Sequence, residues 1–164
     1  MKHTISILVE NHAGVLARVA GLFARRGFNI DSLAVGITED EKISRITIIA
    51  DGTAYTLEQI EKQLNKLIDV IKVRHLPAEE LLSRELVLIK VACQPSQRAE
   101  LISLAEIAKA KISDITVNTM TLELSDSVPR IKTFEELLRP YGIKETVRTG
   151  SIAMQKGGAS MKLY

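Results

Sequence analysis

Apolar and polar residues alternate from residue 4 to residue 10, with Ile5, Ile7 and Val9 on one side. That is the pattern of a strand with one buried face. The period then changes. Over 14–26, Leu16, Val19, Ala20 and Phe23 form a helical stripe, widened by Val15 and Leu22. Arg25 and Arg26 fall in the last turn, where cations complement the helix dipole, and Gly27 stands where helices end. Phe28-Asn29-Ile30 opens a second strand running through Leu33, Val35 and Ile37, and a polar turn over 38–42 leads into a third through Ile46 and Ile48. Leu57, Ile60, Leu64 and Leu67 have helical spacing, and Val70 to Leu76 reads as a fourth strand.

The same order then recurs. After a short acidic connector over 77–84, with room for one helical turn, Leu86 to Cys93 is a strand. A helix starts at Pro95-Ser96 and presents Leu101, Leu104, Ala105 and Ala108 on one face. Strands over 112–117 and 120–124 flank a turn at Asn118-Thr119. Val128-Pro129 opens a helix burying Ile131, Phe134, Leu137 and Leu138, Pro140-Tyr141-Gly142 stops it, and 143–149 is the last strand. The chain therefore reads as an α+β protein with two tandem ferredoxin-like βαββαβ domains, 1–77 and 78–164. The two halves share a pattern and little residue identity. The tail Gly157-Gly158-Ala159-Ser160 is expected to be mobile.

Composition narrows the function classes. The net charge is +2, and each side of Pro77 carries +1, from 10 basic against 9 acidic residues and then 12 against 11. There is no basic block and no basic-aromatic platform, so no nucleic-acid partner is indicated. No apolar run approaches the ~20 residues that span a bilayer, and the N-terminus leads directly into a strand, so a soluble cytoplasmic protein without a membrane partner is expected. Cys93 is the only cysteine and sits in an apolar strand pattern, as a small buried hydrophobe would. His3, His12 and His75 have no ligand spacing to Cys, Asp or Glu along the chain, so no metal site is expected. A phosphate loop, a nucleophile elbow and a catalytic carboxylate pair are missing, so no catalytic residue is assigned.

The stretch with receptor character is Glu10-Asn11-His12-Ala13-Gly14-Val15-Leu16. It is an ordinary strand-to-helix turn in residue type. It also ends at a helix start, whose N–H groups suit a carboxylate. In a split βαβ unit the first helix carries the chain about 20 Å along the sheet, at 1.5 Å per residue. Asn29-Ile30 therefore lies at the opposite end from Asn11 and Gly14. Strand two is the sheet edge, and a two-fold partner pairing antiparallel along it would bring its Asn29 beside this chain's turn. Such a site suits an amino acid. The N–H groups near Gly14, Val15 and Leu16 would take the carboxylate, Asn11 and a second copy's Asn29 would anchor polar groups, and Leu16 and Ile30 would contact an aliphatic side chain. Gly14 would permit close approach.

Several stretches, among them Leu8-Val9-Glu10-Asn11, Gly14-Val15-Leu16-Ala17-Arg18-Val19, Arg26-Gly27-Phe28-Asn29-Ile30, Ser44-Arg45-Ile46-Thr47 and Leu138-Arg139-Pro140-Tyr141-Gly142-Ile143-Lys144-Glu145, closely resemble the small regulatory subunit of acetolactate (acetohydroxyacid) synthase. The first half resembles an ACT domain, an amino-acid-sensing module, and the second an ACT-like domain. The resemblance implies a homodimer that binds and activates a catalytic large subunit and confers feedback inhibition by valine in branched-chain amino acid synthesis. Thiamine diphosphate, magnesium and FAD would then reside on the catalytic subunit, with no cofactor bound by this chain. The family's effector positions fall on Asn11, Gly14, Val15 and Leu16 of one chain and Asn29 and Ile30 of another. His12-Ala13 departs from the pattern, since many relatives carry an acidic residue followed by Pro or a small residue. A stand-alone ACT sensor controlling another enzyme or transcription is the competing expectation, which the Arg139-Pro140-Tyr141-Gly142 region of the second half disfavours.

Overall fold

The computed structural model describes residues 1–162, which form two compact units. The first contains residues 1–82 together with 151–162, and the second is Ser83–Gly150. Its elements are β1 (Lys2–Glu10), α1 (Val15–Arg25), β2 (Ile30–Ile37), β3 (Ile43–Asp51), α2 (Ala54–Leu64) and β4 (Val70–Leu76). The sheet order is β2-β3-β1-β4, with every neighbouring pair antiparallel. β1 and β2 are therefore parallel with β3 between them, and β2 is an edge, as the ferredoxin-like pattern requires.

Period-two alternation puts Ile5, Ile7 and Val9 of β1 with Ile46 and Ile48 of β3 on one face, where Val15, Val19, Leu22 and Phe23 of α1 and Ile60 and Leu64 of α2 close the core. Burying each large side chain of that stripe contributes about 1.5–3 kcal/mol, which is what fixes α1 against the sheet. Gly27 ends α1 at φ +68. Phe28 N–H reaches Phe23 O at 3.0 Å and Gly27 N–H reaches Ala24 O at 3.1 Å, the Schellman arrangement that only a left-handed residue allows without strain. α2 starts a turn before its apolar stripe, because Thr53 Oγ1 accepts Thr56 N–H at 3.2 Å and caps it.

The second face of this sheet departs from the alternating pattern. Ser6 and Leu8 point away from the helices and are nonetheless buried. Residues after Gly150 account for this. Ser151 N–H donates to Ser32 Oγ at 2.8 Å, Arg45 Nη2 donates to Ala153 O at 2.8 Å, and Lys156 N–H donates to Glu80 O at 2.7 Å. Arg74 Nη1 reaches Ser160 O at 3.2 Å, so the glycine-containing tail is engaged by side chains of the sheet. These residues cluster with the first unit.

The second unit repeats the order with β5 (Leu81–Ala92), α3 (Arg98–Ala108), β6 (Lys111–Ile115), β7 (Thr119–Asp126), α4 (Val128–Leu138) and β8 (Ile143–Arg148), in a sheet ordered β6-β7-β5-β8. β5 begins five residues before the expected Leu86, following a single 3-10 turn over Ala78–Glu80. Its core joins Val87, Ile89 and Val91 to Leu101, Leu122, Ile131, Phe134 and Leu138. Cys93 is fully buried there, as expected of an inert thiol. Among the described residues no helix is long and apolar enough to cross a membrane.

Candidate functional site

The β1–α1 turn is fastened by three hydrogen bonds. Glu10 N–H donates to Asp69 O at 2.9 Å, just before β4. Asn11 N–H donates to Lys42 O at 2.7 Å and its side-chain Nδ2 donates to Glu41 O at 2.7 Å, so the Asn amide stitches the turn to the β2–β3 hairpin. This uses one of the two Nδ2 hydrogens; Oδ1 remains as an acceptor suited to an ammonium.

Gly14 precedes α1 in the left-handed region, at φ +88 and ψ −14. The first helical bond runs from Arg18 N–H to Gly14 O at 3.1 Å. The N–H groups of Val15, Leu16 and Ala17 thus precede any intrahelical acceptor and form the positive end of the helix. The side chains divide. Val15 is buried in the core, so it can meet a ligand only through its backbone, whereas Leu16 is 42% exposed and offers an apolar contact.

Asn29 and Ile30 lie at the far end of the same sheet. Ile30 pairs with Ala50, which pairs with His3, while Glu10 pairs with Ile43. The seven residue steps from Ile43 to Ala50 correspond to about 24 Å at ~3.4 Å each. Within one chain the fold brings Asn11, Gly14, Val15 and Leu16 together and keeps Asn29 and Ile30 apart from them. Asn29 Nδ2 donates to its neighbour Asp31 Oδ1 at 3.0 Å. The outer part of β2 exposes Val35 and Ile37, at 47% and 63%.

Charged groups that sequence spacing did not join surround the turn. Asp69 is nearly buried, with one carboxylate oxygen on the Arg18 guanidinium and the other 2.9 Å from His12 Nε2. Glu10 Oε2 is 3.3 Å from the same nitrogen. The hydrogen bond between the His12 ring and Ala13 O holds its pKa above the ordinary histidine value; burial opposes this, and the Asp69 carboxylate adds to it. Ligand-type atoms of Glu10, His12 and Asp69 lie within 4.8 Å of one another. Sequence spacing did not group these three, because Asp69 is distant in sequence and arrives through the β1–β4 pairing. One Asp69 oxygen is already committed to Arg18. Neither Arg18, one turn beyond Gly14, nor Asp69 was assigned a role from the sequence.

Two cavities of about 350 and 200 Å³ open elsewhere on the first unit. Leu8, Ile43 and Met161 line the larger, and Arg45, Arg74 and Gln155 are among the residues lining the smaller. Both sit on the sheet face that the tail covers, and none of the six candidate residues lines either.

Comparison with known proteins places this geometry. Residues 5–72 match the family described as AHAS small subunit-like ACT domain, and residues 84–157 match the family described as small subunit of acetolactate synthase. The chain is 50% identical over 157 residues to a probable acetolactate synthase small subunit of Archaeoglobus fulgidus, covering 96% of this chain and 98% of that one. It is 51% identical over 160 residues to its counterpart in Methanothermobacter thermautotrophicus, covering 97% and 95%. The crystal structure of the acetolactate synthase small subunit from Thermotoga maritima superposes with a TM-score of 0.91 at 38% identity, covering 97% of this chain and 99% of that one.

Proposed function

Because the chain belongs to the acetolactate synthase small-subunit family, we propose that it binds and activates the catalytic large subunit and makes it sensitive to valine. The observation that carries this reading is the β1–α1 turn. A left-handed Gly14, three helix-start N–H groups and an Asn11 carboxamide oxygen lie within one short turn whose Asn11, Gly14 and Leu16 are exposed. That set complements a carboxylate and an ammonium on one carbon. Leu16 beside it favours an aliphatic side chain.

The half-site is completed by a second copy. Pairing two β2 edges antiparallel about a two-fold axis would cover Val35 and Ile37 and carry the partner's Asn29 to the open side of the turn. Two equivalent valine sites per homodimer follow. The reaction chemistry, with thiamine diphosphate, magnesium and FAD, belongs to the large subunit in the cytoplasm, and this chain contributes no cofactor ligand. Valine acts only insofar as it binds two states of the complex unequally.

The test is co-purification with the catalytic subunit, with acetolactate formation measured against valine. Stimulation by the small subunit and loss of that activity on adding valine are expected. A complex that forms and is stimulated, yet ignores valine at saturation, would remove the effector assignment.

A further inference from the structure

We propose that His12 is a positioning residue for the effector turn and that it acts as an imidazolium, clamping Ala13 O with one ring nitrogen and Asp69 with the other. This rests on reading the turn as an amino-acid site. Both partners of the ring can only accept. Nδ1 lies 3.1 Å from Ala13 O, and Nε2 lies 2.9 Å from Asp69 Oδ1 and 3.3 Å from Glu10 Oε2. A neutral imidazole owns one N–H, so one of these contacts would set lone pair against lone pair. The doubly protonated ring satisfies both.

The clamp bears on the receptor through one peptide plane. In a trans peptide the C=O and the following N–H point in opposite directions. Holding Ala13 O against the ring therefore aims Gly14 N–H away from it, and Gly14 N–H has no protein acceptor among the described residues. Charge balance acts in the same sense. The groups facing His12 are Glu10 from β1 and Asp69 from before β4, with Arg18 of α1 on the other Asp69 oxygen. The hairpin reaches the turn through the carbonyls of Glu41 and Lys42. With His12 protonated this network is neutral. With His12 neutral it carries one net negative charge beside the place for a carboxylate. The last proton then stays on Nε2 between the two acids, and the Ala13 peptide is released. Valine affinity is thus linked to one proton and falls as pH rises through the His12 pKa.

The experiment is valine titration by calorimetry of the full chain, wild type and His12→Gln, from about pH 6 to about pH 8, with imidazole nitrogen NMR of the wild type in parallel. Wild-type Kd is expected to weaken severalfold across this range, up to a limit of about tenfold per pH unit for one linked proton. His12→Gln is expected to bind weakly with little pH slope. Valine is expected to raise the His12 pKa, with both ring nitrogens protonated in the complex. Equal slopes for the two proteins, or a neutral ring in the valine complex near pH 6, overturn the proposal while leaving the site reading intact. Absence of wild-type binding at every pH overturns both. The NMR arm decides the matter even if His12→Gln fails to fold.

Discussion

Gly14 supports a test that separates shape from charge. Its φ of +88 admits Asn and Asp better than other side chains, and a Cβ built there would meet only the tip of Arg18, with Nη2 at 3.4 Å. Gly14→Asn and Gly14→Asp therefore share one backbone cost of about 1 kcal/mol, which lowers the melting temperature by roughly 4–8 °C in a unit of this size. They differ by one negative charge. Placed about 5 Å from a bound carboxylate, that charge costs roughly 0.8 kcal/mol at a water-like dielectric and roughly 3 kcal/mol at the value typical near a protein surface. Valine affinity of the Asp variant should thus fall by a further ~4-fold to ~200-fold relative to the Asn variant, towards the lower figure if Arg18 turns to neutralise it. The assays are thermal unfolding and valine calorimetry on both variants, with large-subunit activation as a control that should survive. Matching melting temperatures with unequal affinities support the carboxylate receptor. An Asp variant that binds valine as tightly as the Asn variant would refute it.

Three further outcomes follow from the same geometry. Phe23→Ala empties the centre of the first core and should cost about 3–5 kcal/mol, read as a lower urea midpoint. Ile37→Lys puts a charge on the apolar β2 edge that the pairing covers and should yield monomers by light scattering, with valine binding lost; a dimer of unchanged stability would place the interface elsewhere. His12 and His75 should titrate on opposite sides of the ordinary value, followed by proton NMR. Burial, then the neighbouring His3, holds His75 low, so its stabilisation is present above about pH 6.5 and is lost as pH falls through the folded pKa. His12 is held high, so its share is present below about pH 6.5 and is lost as pH rises through its folded pKa.

Much of this architecture was legible because it is periodic. Ile5, Ile7 and Val9 at every second position, and Val15, Val19, Leu22 and Phe23 at helical spacing, set both the elements and the face they bury. The edge position of β2 followed from the βαββ order alone, and with it the separation of Asn29 from Asn11. Contacts that join distant residues were not legible. Asp69 sits in a short turn with no pattern of its own, and it reaches His12 and Arg18 only because β4 pairs with β1. The placement of residues 151–162 with the first unit was hidden for a similar reason. Charged Arg45 and Arg74 read as an outward face, while their actual partners are carbonyl and amide oxygens of the tail, which carry no hydropathy signal.

The central claim, that each effector site is shared by two copies, is met most directly by mixing two damaged chains. Gly14→Asp lacks the turn and Asn29→His lacks the distant residue, so homodimers of either should bind valine poorly. In a mixed dimer one site takes both lesions, and the other takes its turn from the Asn29→His chain and its Asn29 from the Gly14→Asp chain. Calorimetry of purified mixed dimers should therefore recover one site of wild-type affinity per dimer. If each site were built within one chain, both would carry a lesion, and a mixed dimer that binds no better than its parents would contradict the account.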